Sequence, residues 1–150
     1  MPATGDRNDP LRGYNFRIEL DNTAVAAFRE ASGLSLNTDP VDYREGTDNW
    51  LSVRKLPGLR KHGNILLKRG ITNKSPDLWN WYLNILNGVD DRRKGAIVLQ
   101  DEQHNDKLRW EFQQGWICKW EAASMNATSN DVVIESIEIC HERIELQVVT

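Results

Sequence analysis

Apolar and polar residues alternate strictly in several stretches of this chain, and a β-strand with one dry and one wet face is the element that uses such a pattern. Tyr14-Asn15-Phe16-Arg17-Ile18-Glu19-Leu20 shows it most cleanly. Leu108-Arg109-Trp110-Glu111-Phe112 repeats it, and Trp116, Cys118 and Trp120 resume it after Gly115, a position that suits a bulge. Asp21-Asn22 reads as a tight turn, which makes Thr23 to Ser32 the returning strand of a hairpin. Thr38 to Glu45 and Gly63 to Arg69 are further strands. Gly95 to Asp101 is a short apolar run, closed by the polar turn Glu102 to Asp106. The longest candidate is Asp131 to Gln147, rich in Val and Ile with Glu135, Glu138, Glu142 and Glu145 between them. Six or seven antiparallel strands and one helix predict a mainly β fold, a small barrel or sandwich with a flanking α-helix. The 150 residues make one domain, without internal repeats.

The helix is marked at both ends. Ser75 suits an N-cap, Pro76 the first helical position, Asp77 the positive helix start and Gly88 the C-terminal stop. Between them, Leu78, Trp79, Trp81, Tyr82, Leu83, Ile85 and Leu86 leave only a narrow polar stripe of Asp77, Asn80, Asn84 and Asn87. A helix lying on one core keeps a wider polar face. Two readings follow: a second apolar surface formed by Trp79, Tyr82 and Leu86 that meets another subunit, or a helix sunk deep in its own domain.

Residues 46–62 read as a long loop, and such a loop in a compact domain means function or disorder. Trp50, Leu51, Val53, Leu56 and Leu59 argue for function, because they are what a segment lays against another surface. The expected contact residues are Arg44, Glu45, Asp48, Asn49, Trp50, Leu51, Val53, Arg54, Lys55, Leu56 and Pro57. Acidic Asp39, Asp42, Glu45 and Asp48 precede basic Arg54, Lys55, Arg60 and Lys61. That order suits a head-to-tail contact, which closes a ring or runs on as a filament. Nucleic-acid binding is the competing reading of the basic cluster, but single-strand binders interleave stacking aromatics and this cluster has only His62.

Catalytic patterns are thin. His62, His104 and His141 lack ligand spacing, and the acidic cluster from Asp101 to Asp106 reads as a solvated turn rather than a metal site. There is no Gly-x-Ser-x-Gly, no glycine-rich phosphate loop and no Cys-x-x-Cys. No enzyme, cofactor or metal is expected. Cys118 and Cys140 are read as small buried hydrophobes kept reduced, with a single bridge as the alternative. The net charge of −3 points to neither nucleic acid nor membrane. Residues 1–10 form a polar arm without the apolar core of a signal peptide, and no apolar run reaches membrane-spanning length. The expectation is cytoplasmic synthesis without direct membrane insertion.

Several segments together resemble the tail tube proteins of contractile phages and of phage-tail-like contractile injection systems. They are Tyr43-Arg44-Glu45-Gly46, Val53-Arg54-Lys55-Leu56-Pro57-Gly58, Gly63-Asn64-Ile65 and Leu67-Lys68-Arg69-Gly70-Ile71-Thr72. Val25 to Leu34, Leu78-Trp79-Asn80-Trp81, Trp116 to Trp120, Asn126-Ala127-Thr128 and Ile134 to Glu142 extend the likeness, in order, across most of Tyr14 to Arg143. Trp50 is bulkier than the small residues often found in that loop, and Ile117-Cys118 stands where the family would carry a proline. The resemblance implies hexameric rings stacked into a hollow tube inside a contractile sheath, with the long loop reaching adjacent subunits and rings. It implies as partners the chain itself, a sheath protein, baseplate and tube-terminating proteins, and a lumenal cargo of toxin or DNA. A free-ring secreted carrier, like the type VI secretion ring protein, is the alternative, and an injection system is the slight preference over a phage.

Overall fold

The computed structural model describes residues 9–21, 28–47, 49–72, 76–128 and 130–149. Among these residues, nine strands and one helix follow in the order β1 (Phe16–Leu20), β2 (Glu30–Ser32), β3 (Leu36–Tyr43), β4 (Arg54–His62), β5 (Ile65–Gly70), α1 (Asp77–Leu86), β6 (Arg93–Gln100), β7 (Asp106–Ala122), β8 (Ile134–Cys140) and β9 (Arg143–Val148). All pairings are antiparallel. The main sheet runs β1-β6-β7-β8-β5-β2, with β9 also beside β7, while β3 and β4 form a separate two-stranded sheet.

The organising element is β7. Its first half lies between β6 and β9, and its second half pairs with β8. The sequence divides this span into two strands at Gly115, but a single strand runs through it. The bulge is present, with its irregular residue one place earlier: Gln114 takes φ 57°, and the register with β6 slips between the Arg93–Gly115 and Gly95–Phe112 pairs. Gly115 is needed for a different reason, since a Cβ there would lie 2.7 Å from the Phe112 ring. The single strand expected over 131–147 is instead interrupted at His141-Glu142, yet β8 and β9 run in line along the same edge of β7.

The hairpin expected from Tyr14 to Ser32 does not form, because β1 pairs with β6 and β2 with β5. Of that stretch, residues 22–27 lie outside the described residues, as do most of the amino-terminal arm and Ser75. Gly33 explains how β2 reaches β5: at φ 87° its missing Cβ leaves room for the Asn64 carbonyl, which a side chain would meet at 2.0 Å. Strand β3 begins two residues earlier than expected and ends at Tyr43.

Ile18 and Leu20 of β1, Ile65 and Leu67 of β5, Ile97, Phe112, Ile117, Ile137 and Ile139 form one buried cluster. Leu78 and Trp81 of α1 close it. On the opposite side of β6, Ala96 and Val98 are also buried. Their cross-strand neighbours are Arg17, Glu19, Arg109 and Glu111, whose ion pairs place long side-chain stems beside them. The two inward charges of the main sheet are register partners. Arg69 on β5 faces Glu135 on β8, bonded through Nε at 2.5 Å, and Arg69 Nη2 reaches Asp77 in the first turn of α1 at 2.7 Å. Trp120 Nε1 donates to the other Glu135 oxygen at 3.1 Å.

Helix α1 ends as its sequence predicts. Gly88 sits at φ 79°, its N–H bonds to Ile85 O, and the Val89 N–H bonds to Asn84 O, a Schellman stop. At the start, Pro76 precedes the helix without a side-chain cap. The sunk-helix reading fails: Leu78 and Trp81 are buried, whereas Trp79 and Leu86 are open to solvent.

Candidate assembly surface

Most of the expected loop is not a loop. Residues 54–62 are β4, which folds back on β3 as an arm, and only the connection from Arg44 to Val53 lacks strand structure, with Asp48 outside the described residues. The sequence signal was misleading because Pro57-Gly58 reads as a breaker. Here Pro57 faces Pro40 across the pair, and prolines are tolerated where a strand need not donate to the ladder. Gly58 sits at a register slip, where a Cβ would meet the Asp39 carbonyl oxygen at 2.6 Å and Val41 at 2.8 Å.

The arm has two unlike faces. Val41 opposes Leu56 and Tyr43 opposes Arg54 on one side, while Asp42 opposes Lys55 on the other. Nearly every residue of both strands is exposed or half-exposed. Leu51 is 95% exposed, and Trp50 and Leu59 are each 78% exposed. A lone two-stranded hairpin is at best marginally stable in water, so such an arm gains most by meeting another surface. Arg44 Nε donates to the Trp50 backbone carbonyl at 3.3 Å, which ties the connection back to the end of β3. The Tyr43 hydroxyl donates to Glu45 Oε1 at 2.9 Å, a bond that raises the phenol above its usual range.

The acidic-then-basic order has a closer explanation than a contact between subunits. Lys55 pairs with Asp42, and Lys61 with Asp39 at 3.2 Å, both within the arm. These exposed pairs fix the cross-strand register more than they stabilise it.

A second apolar area lies on the body. Trp79 meets Trp120 edge-on at 4.8 Å and Tyr82 at 6.2 Å. Past the helix end, a depression of about 350 Å³ is lined by Ile85, Gly88, Val89, Asp90, Arg92 and Trp116. Leu86 and Val89 stand exposed beside it. Of the three expected helix contacts, Trp79 and Leu86 are therefore available, while Tyr82 is half-buried against the core. Among the described residues no group of three or more His, Cys, Asp and Glu could hold a metal ion, and no helix is long and apolar enough to cross a membrane. Sequence reasoning missed the Arg69–Glu135 pair, whose only trace is one charge breaking the apolar parity of each strand.

These features describe a mainly β subunit with a solvated arm and a separate apolar patch. The chain belongs to the T4-like virus tail tube protein gp19 family, whose model matches residues 12–145. No curated protein sequence matches it. Among solved structures, it resembles a chain in the anti-feeding prophage cap, described as the tube terminating cap, at 25% identity and TM-score 0.84, covering 98% of this chain and 97% of that one. A chain of the sheath-tube complex of an extracellular contractile injection system, PVC, in the extended state has the same fold at 24% identity and TM-score 0.80, over 93% of each chain. A chain of the anti-feeding prophage baseplate, six-fold symmetrised, matches at 24% identity and TM-score 0.83, over 95% of this chain and 98% of that one.

Proposed function

We propose that this tail tube protein forms hexameric rings that stack into the hollow inner tube of a contractile injection system, without catalytic activity or cofactor. The β3–β4 arm is the joint between subunits and rings, through Trp50, Leu51, Val53, Arg54, Lys55, Leu56 and Pro57 together with Arg44, Glu45, Asp48 and Asn49. Trp79 and Leu86 belong to the receiving surface. A sheath surrounds the tube, baseplate and terminating proteins bound its ends, and toxin or DNA occupies its lumen. The particle is assembled in the cytoplasm and released. The likeness to a chain of the anti-feeding prophage cap and to a chain of an extracellular contractile injection system's sheath-tube complex supports an injection system over a phage tail. Reading the neighbouring genes tests that choice: capsid and terminase genes would favour a phage.

The observation that carries the assembly role is the arm, an antiparallel pair exposed on both faces with Leu51, Trp50 and Leu59 in water. Purified protein is expected to give long tubes by negative-stain electron microscopy. Leu56→Asp places a charge on the apolar face of the arm, and deletion of residues 48–56 removes its outer part. Both variants should keep the circular dichroism spectrum of a folded β-protein yet stop tube growth. Normal long tubes from either variant would overturn the role of the arm, and discrete rings from the unaltered protein would favour a secreted carrier.

A further inference from the structure

The depression past the end of α1 lies beside the root of the arm. Trp116, which lines it, pairs in register with Cys140. The next residue, His141, bonds through Nε2 to Gly63 O at 2.9 Å, and Gly63 directly follows the last residue of β4. The Gly63 N–H bonds in turn to Ser35 O at 3.1 Å, just before β3, so both strands of the arm leave the body here. Glu142 accepts from Arg92 Nη1 at 3.2 Å, and Arg92 is on the rim of the depression. The tip of the arm is far away. Strand β3 has eight residues, so at roughly 3.3 Å each it holds Trp50 and Leu51 about 25 Å from that root. Within one chain the tip cannot reach the depression without breaking the β3–β4 ladder.

We propose, resting on the reading of the arm as the joint between copies, that the depression lined by Ile85, Gly88, Val89 and Trp116 is the seat for Trp50 and Leu51 of a second copy of this chain. Size and polarity agree. At about 350 Å³ the depression falls within the ~300–1,000 Å³ of pockets that enclose compact apolar groups. Leu51 is the most exposed large apolar side chain described, and seating it removes that surface from water.

Charge agrees as well. The rim carries an excess of negative charge, because Arg92 is shared between Asp90 at 3.3 Å and Glu142 at 3.2 Å. The arm brings a cation to it. Arg44 gives its Nε to the Trp50 carbonyl, and among the described residues no carboxylate pairs with it. Seating Trp50 therefore carries the Arg44 guanidinium towards Asp90 and Glu142, which sets the direction in which the arm enters. Tip and seat are different surfaces, so the contact is heterologous. Each copy gives one tip and takes one, and the assembly grows or closes into a ring instead of stopping at a pair.

Full-length protein carrying the photoreactive residue benzoylphenylalanine in place of Leu51 is assembled from isotope-labelled and unlabelled copies, irradiated, digested and mapped by mass spectrometry. The expected crosslinks join different chains and fall within residues 85–92 or at Trp116. Asp90→Arg sets like charge against Arg44 and should raise the concentration needed for assembly about tenfold. Combining it with Arg44→Asp should restore most of that loss. Val89→Asp should block assembly while keeping the circular dichroism spectrum of a folded β-protein. Crosslinks between chains at any other segment, a double variant no better than Asp90→Arg, or normal tubes from Val89→Asp would each overturn this seat while leaving the arm as the joint. Crosslinks confined to single chains, or normal tubes from Leu56→Asp, would remove the role of the arm and the seat with it.

Discussion

Arg69 illustrates how one side chain can hold several elements. It bonds Glu135 on β8 and Asp77 at the start of α1, and its guanidinium lies 5.8 Å from the Phe28 ring centroid. Burial opposes its charge, but the bonds to Asp77 and Glu135 more than offset that and raise its pKa above the usual arginine value. Removing it would strand a buried carboxylate, which costs more than the pair itself contributes. Arg69→Ala is expected to lower the unfolding free energy by about 3–5 kcal/mol, read from urea denaturation. The double variant Arg69→Met with Glu135→Leu should recover much of that loss. A double variant no better than Arg69→Ala would show that the lost bonds to Asp77 and Trp120, not the stranded charge, set the cost.

At the level of elements, the arm and the main sheet should differ in local stability. Strand β7 has partners on both edges over its first half and lies over the core, whereas β3 and β4 have only each other. Elements with few buried contacts open with small local free energies. In the free subunit, amide hydrogens of β3 and β4 should therefore exchange much faster than those of β7, and become protected once tubes form. Arm amides as protected as those of β7 in the free subunit would contradict an arm that waits for a partner. The same contrast explains what the sequence could reveal. The alternation of β1 and the first half of β7, and the end of α1 at Gly88, were legible because one core face and one wet face write themselves into the residue period, whereas in the second half Ile117 is buried in place of Trp116, Cys118 and Trp120. The arm has no buried face, so its residues carry no such period, and Pro57-Gly58 disguised β4. The pairing of β2 with β5 was hidden for another reason: it depends on the close approach at Gly33, a long-range contact. Of the expected contact residues, apolar exposure was readable at Trp50 and Leu51, whereas the Asp42–Lys55 pairing required knowledge of the register.

For the whole molecule, acid should act in two steps. His141 sits at the β8–β9 break, 5.4 Å from His62 and 6.0 Å from Phe112 between ring centroids. Its Nε2 donates to Gly63 O at 2.9 Å, and the Nδ1 atoms of both His62 and His141 are buried without a hydrogen-bond partner. Burial, together with His62, holds His141 below its usual value of 6.5. The unfolded chain then takes up a proton first, so stability falls as pH drops from about 6.5 towards the lower folded value. The second step comes from the outer face of β1, β6 and β7. Burial alone would raise Glu19, but bonds from Arg109 and Arg17 outweigh it and lower its pKa. Glu111 is lowered chiefly by Lys94, and Asp106 by Gln100 and then Arg17. These carboxylates stabilise the fold above about pH 4.5, and that contribution is lost as pH falls through their depressed folded values. Urea midpoints measured from pH 7.5 to 3.5 should show both declines, and His141→Gln should flatten only the upper one. An unchanged upper decline in that variant would assign it to another group.

The seventeen residues of β7, at roughly 3.3 Å each, span about 55 Å with neighbours along most of that length. Antiparallel ladder bonds lie across the strand direction. Tension applied along β7 therefore loads many of them in parallel, whereas tension across the sheet would open them one after another. The irregular residues at Gln114 and Cys118 would have to leave their notches before the strand could slide, so they act as mechanical stops against a lengthwise push.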